Sequence, residues 1–531
     1  ILMKKILTVF LFSALSASLF AGGLVTNTNQ SAMFTRLQSR NGSIAPDAVY
    51  YNPAGLTRLS EGFHLSISNQ VIDQTRTITT DYTYLHNSKY TGKVFAPIFP
   101  GIYASYNYKK FAFSFGFNPV GGGGGAKFDD GLPMIEMSPS DLVPALAAKG
   151  VTDYRLSEYF EGKSVFFGYQ AGVSYKINEI VSVYAGLRYV TAKNTYKGHL
   201  TGIELYNFGG SGTWTRADVI MTGIATSAST LATNTTGIVN AGYGSLTLAQ
   251  CVTDGRITQA VADALTAGLT ALGGSPTGST TVSQYNTAFL TYAAKYNASA
   301  TLLGDQSADV TQTGSGIAPI IGVNISLSNK LNIGLKYEFK TPLTVTNDTK
   351  ADFLTGFTGT GTPVTMFPDG AKTIQDMPAM LAGGFEFRPI GKLMITGSAN
   401  YYFDKDVDYD GSETIDVDQI DKNFKEFAFG IEYSLTSNLR GSIGWLGTYS
   451  GVNSDYNSEL RYNTSTNSIG GGFGYSLTPM IDLNIAASYT KYDTADKAYQ
   501  HNFAGSGMML NVNDKLEKKT IIFAVGVDLH F

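Results

Sequence analysis

Through most of this chain, apolar side chains recur at every second position. Phe111, Phe113, Phe115 and Phe117 alternate with Ala112, Ser114, Gly116 and Asn118. Leu331, Ile333, Leu335, Tyr337 and Phe339 alternate with Asn332, Gly334, Lys336, Glu338 and Lys340. Ile481, Leu483, Ile485, Ala487 and Tyr489 alternate with Asp482, Asn484, Ala486, Ser488 and Thr490. A period of two predicts β-strands with two unlike faces. Soluble sandwiches alternate as well, but here the second face is small, polar or charged and ill suited to a dry core. Strands between lipid and a wet lumen need this composition.

The pattern predicts fourteen strands, at 62–73, 100–108, 111–118, 162–177, 181–198, 312–328, 331–346, 376–388, 392–404, 423–435, 438–449, 464–477, 481–493 and 519–531. Short turns such as Lys109-Lys110 and Asn178-Glu179 alternate with long segments, the largest being 199–311. An even count with short and long connections in turn predicts an all-β, transmembrane antiparallel β-barrel, with both mature termini on the periplasmic side of a bacterial outer membrane. The last strand places Phe523, Val525, Val527, Leu529 and Phe531 on one face. A terminal aromatic closing such a strand resembles the signal read by the outer-membrane barrel assembly machinery. Barrel closure also removes an edge this apolar.

The 531 residues include 59 Gly, 32 Tyr and 31 Phe, and only 15% are charged. A soluble chain carries nearer a quarter. Lys4 and Lys5 precede an apolar stretch, Ile6 to Leu15, with small residues to Ala21. These are the parts of a signal peptide, 1–21, giving a mature start at Gly22. Cys251 is the only cysteine, which excludes an intramolecular disulfide. A net charge of -4 offers no footprint for nucleic acid. Five histidines, none in a ligand spacing or nucleophile motif, give no support to catalysis, and no cofactor motif is present. Asp406, Asp408 and Asp410 precede Gly411 as in a calcium loop, but Val417 stands where the closing Glu belongs, so a solvated acidic loop is the preferred reading.

Some outer segments carry helical patterns. Ser140-Asp141 predicts a cap for a short helix through Ala148. The long segment predicts helices near 245–272 and 283–297, capped by Ser245 and Ser283, with Leu265, Leu269 and Phe289 on their apolar faces.

Residues 22–60 do not fit a lipid-facing strand. They hold Gln30-Ser31-Ala32, Ala45-Pro46-Asp47-Ala48 and Asn52-Pro53-Ala54-Gly55. This stretch resembles the N-terminal hatch of the FadL/TodX-type transporters of hydrophobic compounds. Gly121 to Gly125, followed by Lys127-Phe128-Asp129-Asp130-Gly131-Leu132-Pro133, resembles the second outer segment of that family. The resemblance covers nearly all of the chain after Ala21, although 199–311 is longer than the family pattern.

The resemblance implies a monomeric barrel (61–531) plugged by a hatch (22–60). It implies capture of a hydrophobic small molecule, a long-chain fatty acid or an aromatic hydrocarbon, at outer loops. Passage past the hatch and lateral release into outer-membrane lipid would follow. Asn52, Pro53, Ala54 and Gly55 are the hatch candidates, where proline stiffens an elbow. Gly116, Asn118 and Pro119 are candidates for a lateral gap, because proline cannot donate to a strand ladder. Phe128, Leu132, Leu265, Leu269 and Phe289 are apolar ligand candidates, and Arg188, Lys336 and Arg440 are cation candidates on the inward face. A wet porin for polar solutes and a surface adhesin presenting 199–311 are the competing readings.

Overall fold

The alternating segments close on themselves. The computed structural model describes residues 26–359, 361–407, 419–504 and 506–531. Fourteen antiparallel strands form a closed barrel, with short extra strands at its outer end. They are β1 Gly62–Thr80, β2 Lys89–Tyr108, β3 Phe111–Phe128, β4 Asp153–Lys176, β5 Val181–Tyr206, β6 Gln306–Ser328 and β7 Leu331–Glu338. There follow β8 Met380–Ile390, β9 Leu393–Tyr402, β10 Lys425–Ser434, β11 Leu439–Tyr449, β12 Thr466–Thr478, β13 Ile481–Tyr492 and β14 Met508–His530. Closure is made by β1 on β14, in unbroken register from His64↔His530 to Thr80↔Asp514.

Alternation sorts the two faces as expected. Phe111, Phe113 and Phe115 are exposed on the outside, as are Leu335, Ile485, Phe523 and Val525. Ala112, Ser114, Lys336, Asn484, Ala524 and Asp528 are buried inside. An outward apolar band of this kind belongs against hydrocarbon. Among the described residues no helix is long and apolar enough to cross a membrane.

Several strands run well past the predicted ends. β1 and β2 continue to Thr80 and back from Lys89, so most of the expected loop 74–99 is a hairpin. Polar stretches such as Asp73-Gln74-Thr75-Arg76 form strand because their backbone groups still pair across the ladder.

The N-terminal segment lies inside the barrel. It contains α1 Ala32–Leu37, α2 Ala48–Tyr51 and a 3-10 turn Pro53–Arg58. Ser31 caps α1, its hydroxyl accepting from the Phe34 amide at 3.0 Å. Leu37, Val49, Ala54 and Leu56 are fully buried. The expected signal peptide and residues 22–25 lie outside the described residues.

The outer helices differ from expectation. Asp141 does stand at the N-cap of a short helix, but its side chain makes no capping bond and that helix ends at Ala145 rather than Ala148. α3 runs Pro133–Ser140, with Pro133 in its first turn, and α4 is only Leu142–Ala145. The Asp141 carboxylate instead accepts from the Ala504 amide at 2.7 Å and lies 2.7 Å from His501 Nε2. In the long segment the caps are Thr247, Thr258 and Thr281, not Ser245 and Ser283, for α6 Leu248–Thr253, α7 Gln259–Ala271 and α8 Val282–Leu302. Before them stands α5, Ala217–Ile238, which the pattern did not predict. Its many Ser and Thr favour other conformations, and burial of Ile220, Met221, Ala225, Ala228 and Ala232 holds it.

Candidate functional site

The N-terminal plug is hung from the wall by its own carbonyl oxygens. Gln170 and Ser174 on β4 donate to the carbonyls of Val49 and Pro53, at 2.6 and 2.7 Å. Ser182 on β5 donates to Ala54 at 2.8 Å, and Asn107 on β2 donates to Leu56 at 2.7 Å. The Asn52 side chain donates across to Asn324 Oδ1 on β6, at 2.7 Å, and back to the Ser43 carbonyl at 3.0 Å. Gly55 packs where a Cβ would strike Asn52 and Ser43. All four hatch candidates, Asn52 to Gly55, therefore sit at one buried elbow facing β4 to β6.

Charge holds the plug as well. Arg36 meets Glu432 of β10 at 2.6 Å, and Arg40 meets Asp47 at 2.6 Å, all four groups being almost wholly buried. Its carboxylate partner holds the Arg40 guanidinium above its usual value despite burial. The Tyr50 ring lies between Arg188, 4.9 Å away, and Lys336, 4.5 Å away. Lys336 also donates to the Tyr50 carbonyl at 2.7 Å. Both cations pair with Glu338. Arg440 pairs with Asp482 at 2.8 Å. The three cations expected to meet a ligand are thus already matched, and two of them grip the plug.

The wall is interrupted beside the plug. Strands β2 and β3 pair from Ile102↔Phe117 to Tyr108↔Phe111, and again at Lys93↔Lys127 and Gly92↔Phe128, but residues 94–101 and 118–126 do not pair with each other. Five consecutive residues, Asn118 to Gly122, are buried, which breaks the alternation, while β3 stays paired with β4 through irregularities at Pro119/Gly121 and Gly121/Gly124. The plug meets β3 there. Thr26 bridges Gly121, and the Asn27 amide donates to the Val120 carbonyl at 2.8 Å. On the β2 side, Phe95 and Ile98 are strongly exposed, and Pro97 and Pro100 withhold two donors. Asn69 bridges the resulting bulge, donating to the Pro97 carbonyl and accepting from the Phe99 amide, each at 3.0 Å. Gly116, Asn118 and Pro119 thus stand at the start of the break. Pro97 and Pro100 were missed, although two prolines in a strand-like run are a legible signal.

Two cavities flank these elements. One, about 130 Å³, lies between the plug and the wall, with Val94, Ala96 and Gly122 from the edges of the break on its lining. The other, about 250 Å³, lies at the outer end between α3, α4, α5, α8 and the loop after β7. Ile135, Leu142, Ile203, Met221, Leu303 and Phe353 make it apolar. Phe128 and Leu132 belong to the apolar cluster around this outer cavity. Leu265, Leu269 and Phe289 do not: they form the insertion's own core with Cys251 and Tyr285. The greasy face expected of those helices is turned on itself.

Among the described residues no group of three or more His, Cys, Asp or Glu side chains could hold a metal. Asp406 closes the short turn Asp404–Asp406, while Asp408 and Asp410 lie outside the described residues.

No known family profile matches the chain, and no curated protein matches its sequence. Its fold is nevertheless shared. The structure of a Pseudomonas aeruginosa FadL homologue superposes with a TM-score of 0.57 over 96% of this chain and 99% of that one, at 12% identity. The Pseudomonas putida toluene transporter TodX superposes with a TM-score of 0.53 over 96% of this chain and 100% of that one, at 11% identity.

Proposed function

We propose that this protein is a passive outer-membrane transporter of hydrophobic small molecules, working as a FadL/TodX-type channel with no enzymatic step. The observation that carries the reading is the unpaired stretch between β2 and β3, beside a cavity behind it and a plug bonded to its edge. The ligand would enter at the outer cavity, among Ile135, Leu142 and Met221, whose apolar cluster includes Phe128 and Leu132. Burial of apolar area, at roughly 25 cal/mol per Å², supplies the drive without chemical energy. Displacement of the plug elbow at Asn52–Gly55 would pass the ligand to the inner cavity. The gap begun at Gly116, Asn118 and Pro119 would release it sideways into lipid. A long-chain fatty acid is the favoured ligand, and an aromatic hydrocarbon, such as toluene for the transporter TodX, is the other member of the class.

The buried plug argues against a wet pore for polar solutes, since Leu37, Val49 and Leu56 occupy the lumen. The test is uptake of labelled dodecanoate by cells lacking hydrophobic-compound channels, with and without this protein, alongside conductance in planar bilayers. Increased uptake with little steady conductance is expected. A large, steady conductance with no gain in uptake would replace this reading by the porin.

A further inference from the structure

At the edge of the apolar band the outside of the wall carries a row of lysines. Lys127 on β3 pairs with Lys93 on β2, Lys93 with Thr75 on β1, Thr75 with Lys519 on β14, and Lys519 with Lys491 on β13. Direct cross-strand partners share a face, and all four lysines are exposed. Lys519 and Lys491 stand two residues from Ile521 and Tyr489, which are exposed on the lipid side. The row therefore looks outward, away from the plug.

Like charges side by side on one face of a ladder repel, so such a row calls for anions. Lys127 has one, Asp129 at 2.6 Å. Among the described residues Lys93, Lys519 and Lys491 form no ion pair. Asp73, two residues before Thr75 on the same face, pairs with none of them, and Glu517 meets Lys515 instead.

Next to Lys491 and Lys519, within the apolar band, lies an open groove of about 410 Å³. Its floor is Gly471 of β12 and Ala487 of β13, cross-strand partners with almost no side chain between them. Ile443 and Ile469 stand beside them, and the paired Tyr489 and Ile521 form the rim toward the two lysines. Unmatched cations at the polar edge of a membrane band, over an apolar furrow, complement the two ends of an anionic lipid.

We propose that Lys93, Lys491 and Lys519 hold the phosphate head of an anionic membrane lipid, with one of its acyl chains lying in the groove over Gly471 and Ala487. The site is on the outer surface of the barrel and goes beyond the transport reading. Lys491 and Lys519 are one strand apart, about 5 Å, so both can reach one phosphate, whose oxygens are strong acceptors for charged donors. Lys93 lies two strands beyond Lys519, about 10 Å, where salt still leaves part of its attraction.

The experiment takes the whole protein in nonionic detergent. Native mass spectrometry compares its retention of phosphatidylglycerol and phosphatidylcholine carrying identical acyl chains. The wild type should retain phosphatidylglycerol at least about ten-fold better, and Lys491→Gln and Lys519→Gln should each remove about five-fold of that preference. Lys519→Arg should preserve it, as should Lys193→Gln, an exposed lysine on β5 outside the row. Ala487→Phe fills the groove and should weaken retention of both lipids. Equal retention of the two lipids by the wild type overturns the proposal, and that measurement needs no variant to fold. An equal loss in Lys193→Gln also overturns it, since general surface charge would then suffice. So does displacement of phosphatidylglycerol by inorganic phosphate with no effect of Ala487→Phe, which would make the ligand a free anion.

Discussion

The Asn27 amide donates to the Val120 carbonyl at 2.8 Å, so the start of the plug is bonded to β3 where that strand has lost its pairing with β2. The plug and the unpaired part of β3 are therefore linked through backbone rather than through exchangeable side chains. Asn27→Pro removes the donor. A hydrogen bond of this kind contributes about 1 kcal/mol, so the plug end should open about five-fold more often. Faster amide exchange around 118–122 would register it. Unchanged exchange there would show that the bond does not hold the two together.

The Leu37 carbonyl occupies the space that a Cβ on Gly444 would need, and Gly430 faces the same carbonyl. Gly444→Ala should push α1 off the wall, at a cost of about 1–3 kcal/mol typical of overpacking. The barrel itself should remain folded. Limited trypsin digestion should then cut at Arg36 or Arg40 in the variant and not in the wild type.

Arg36 and Glu432 form a buried pair between plug and wall. Glu432→Gln leaves the arginine without its counter-charge, and breaking such a pair costs about 3–5 kcal/mol. The loss should fall on the plug, seen as a rise in bilayer conductance before any fall in barrel melting temperature. Arg36→Met combined with Glu432→Gln should restore much of the closed state. If the double variant conducts as freely as the single, the pair does more than balance charge.

Glu459 lies in the loop between β11 and β12, where burial and the nearby Asp514 hold its carboxyl well above the usual range. The folded chain thus keeps a proton that the unfolded chain releases. The stability this contributes is complete at pH below the ordinary carboxylate value and is lost as pH rises through the folded value. Wild type should lose thermal stability relative to Glu459→Gln as pH rises above about 4, the ordinary carboxylate value. Parallel melting curves for the two proteins across that rise would rule it out.

Replacing Pro97 and Pro100 with alanine returns two backbone donors to β2 beside the break. Closer pairing with β3 should narrow the gap and slow uptake of labelled dodecanoate severalfold relative to wild type. Equal uptake by the two proteins would place lateral release elsewhere.

The sequence by itself determined the barrel. Side chains of period two fix which face meets lipid, and a strand cannot slip by one residue without reversing both faces. All fourteen strands, and the exposed Phe111, Leu335 and Phe523, were legible for that reason. Proline chemistry likewise pointed to Asn118-Pro119, where β3 stops pairing with β2 while still paired with β4. Tertiary structure alone decided which inward charges are matched. Arg188, Lys336, Arg76 and Lys518 look alike in an alternating strand, yet Glu338 faces the first two and the last two face each other. Strand register and barrel closure set those neighbours, joining residues hundreds of positions apart. The self-packed core of α6 to α8 was hidden too, because an apolar helical face does not state what will cover it.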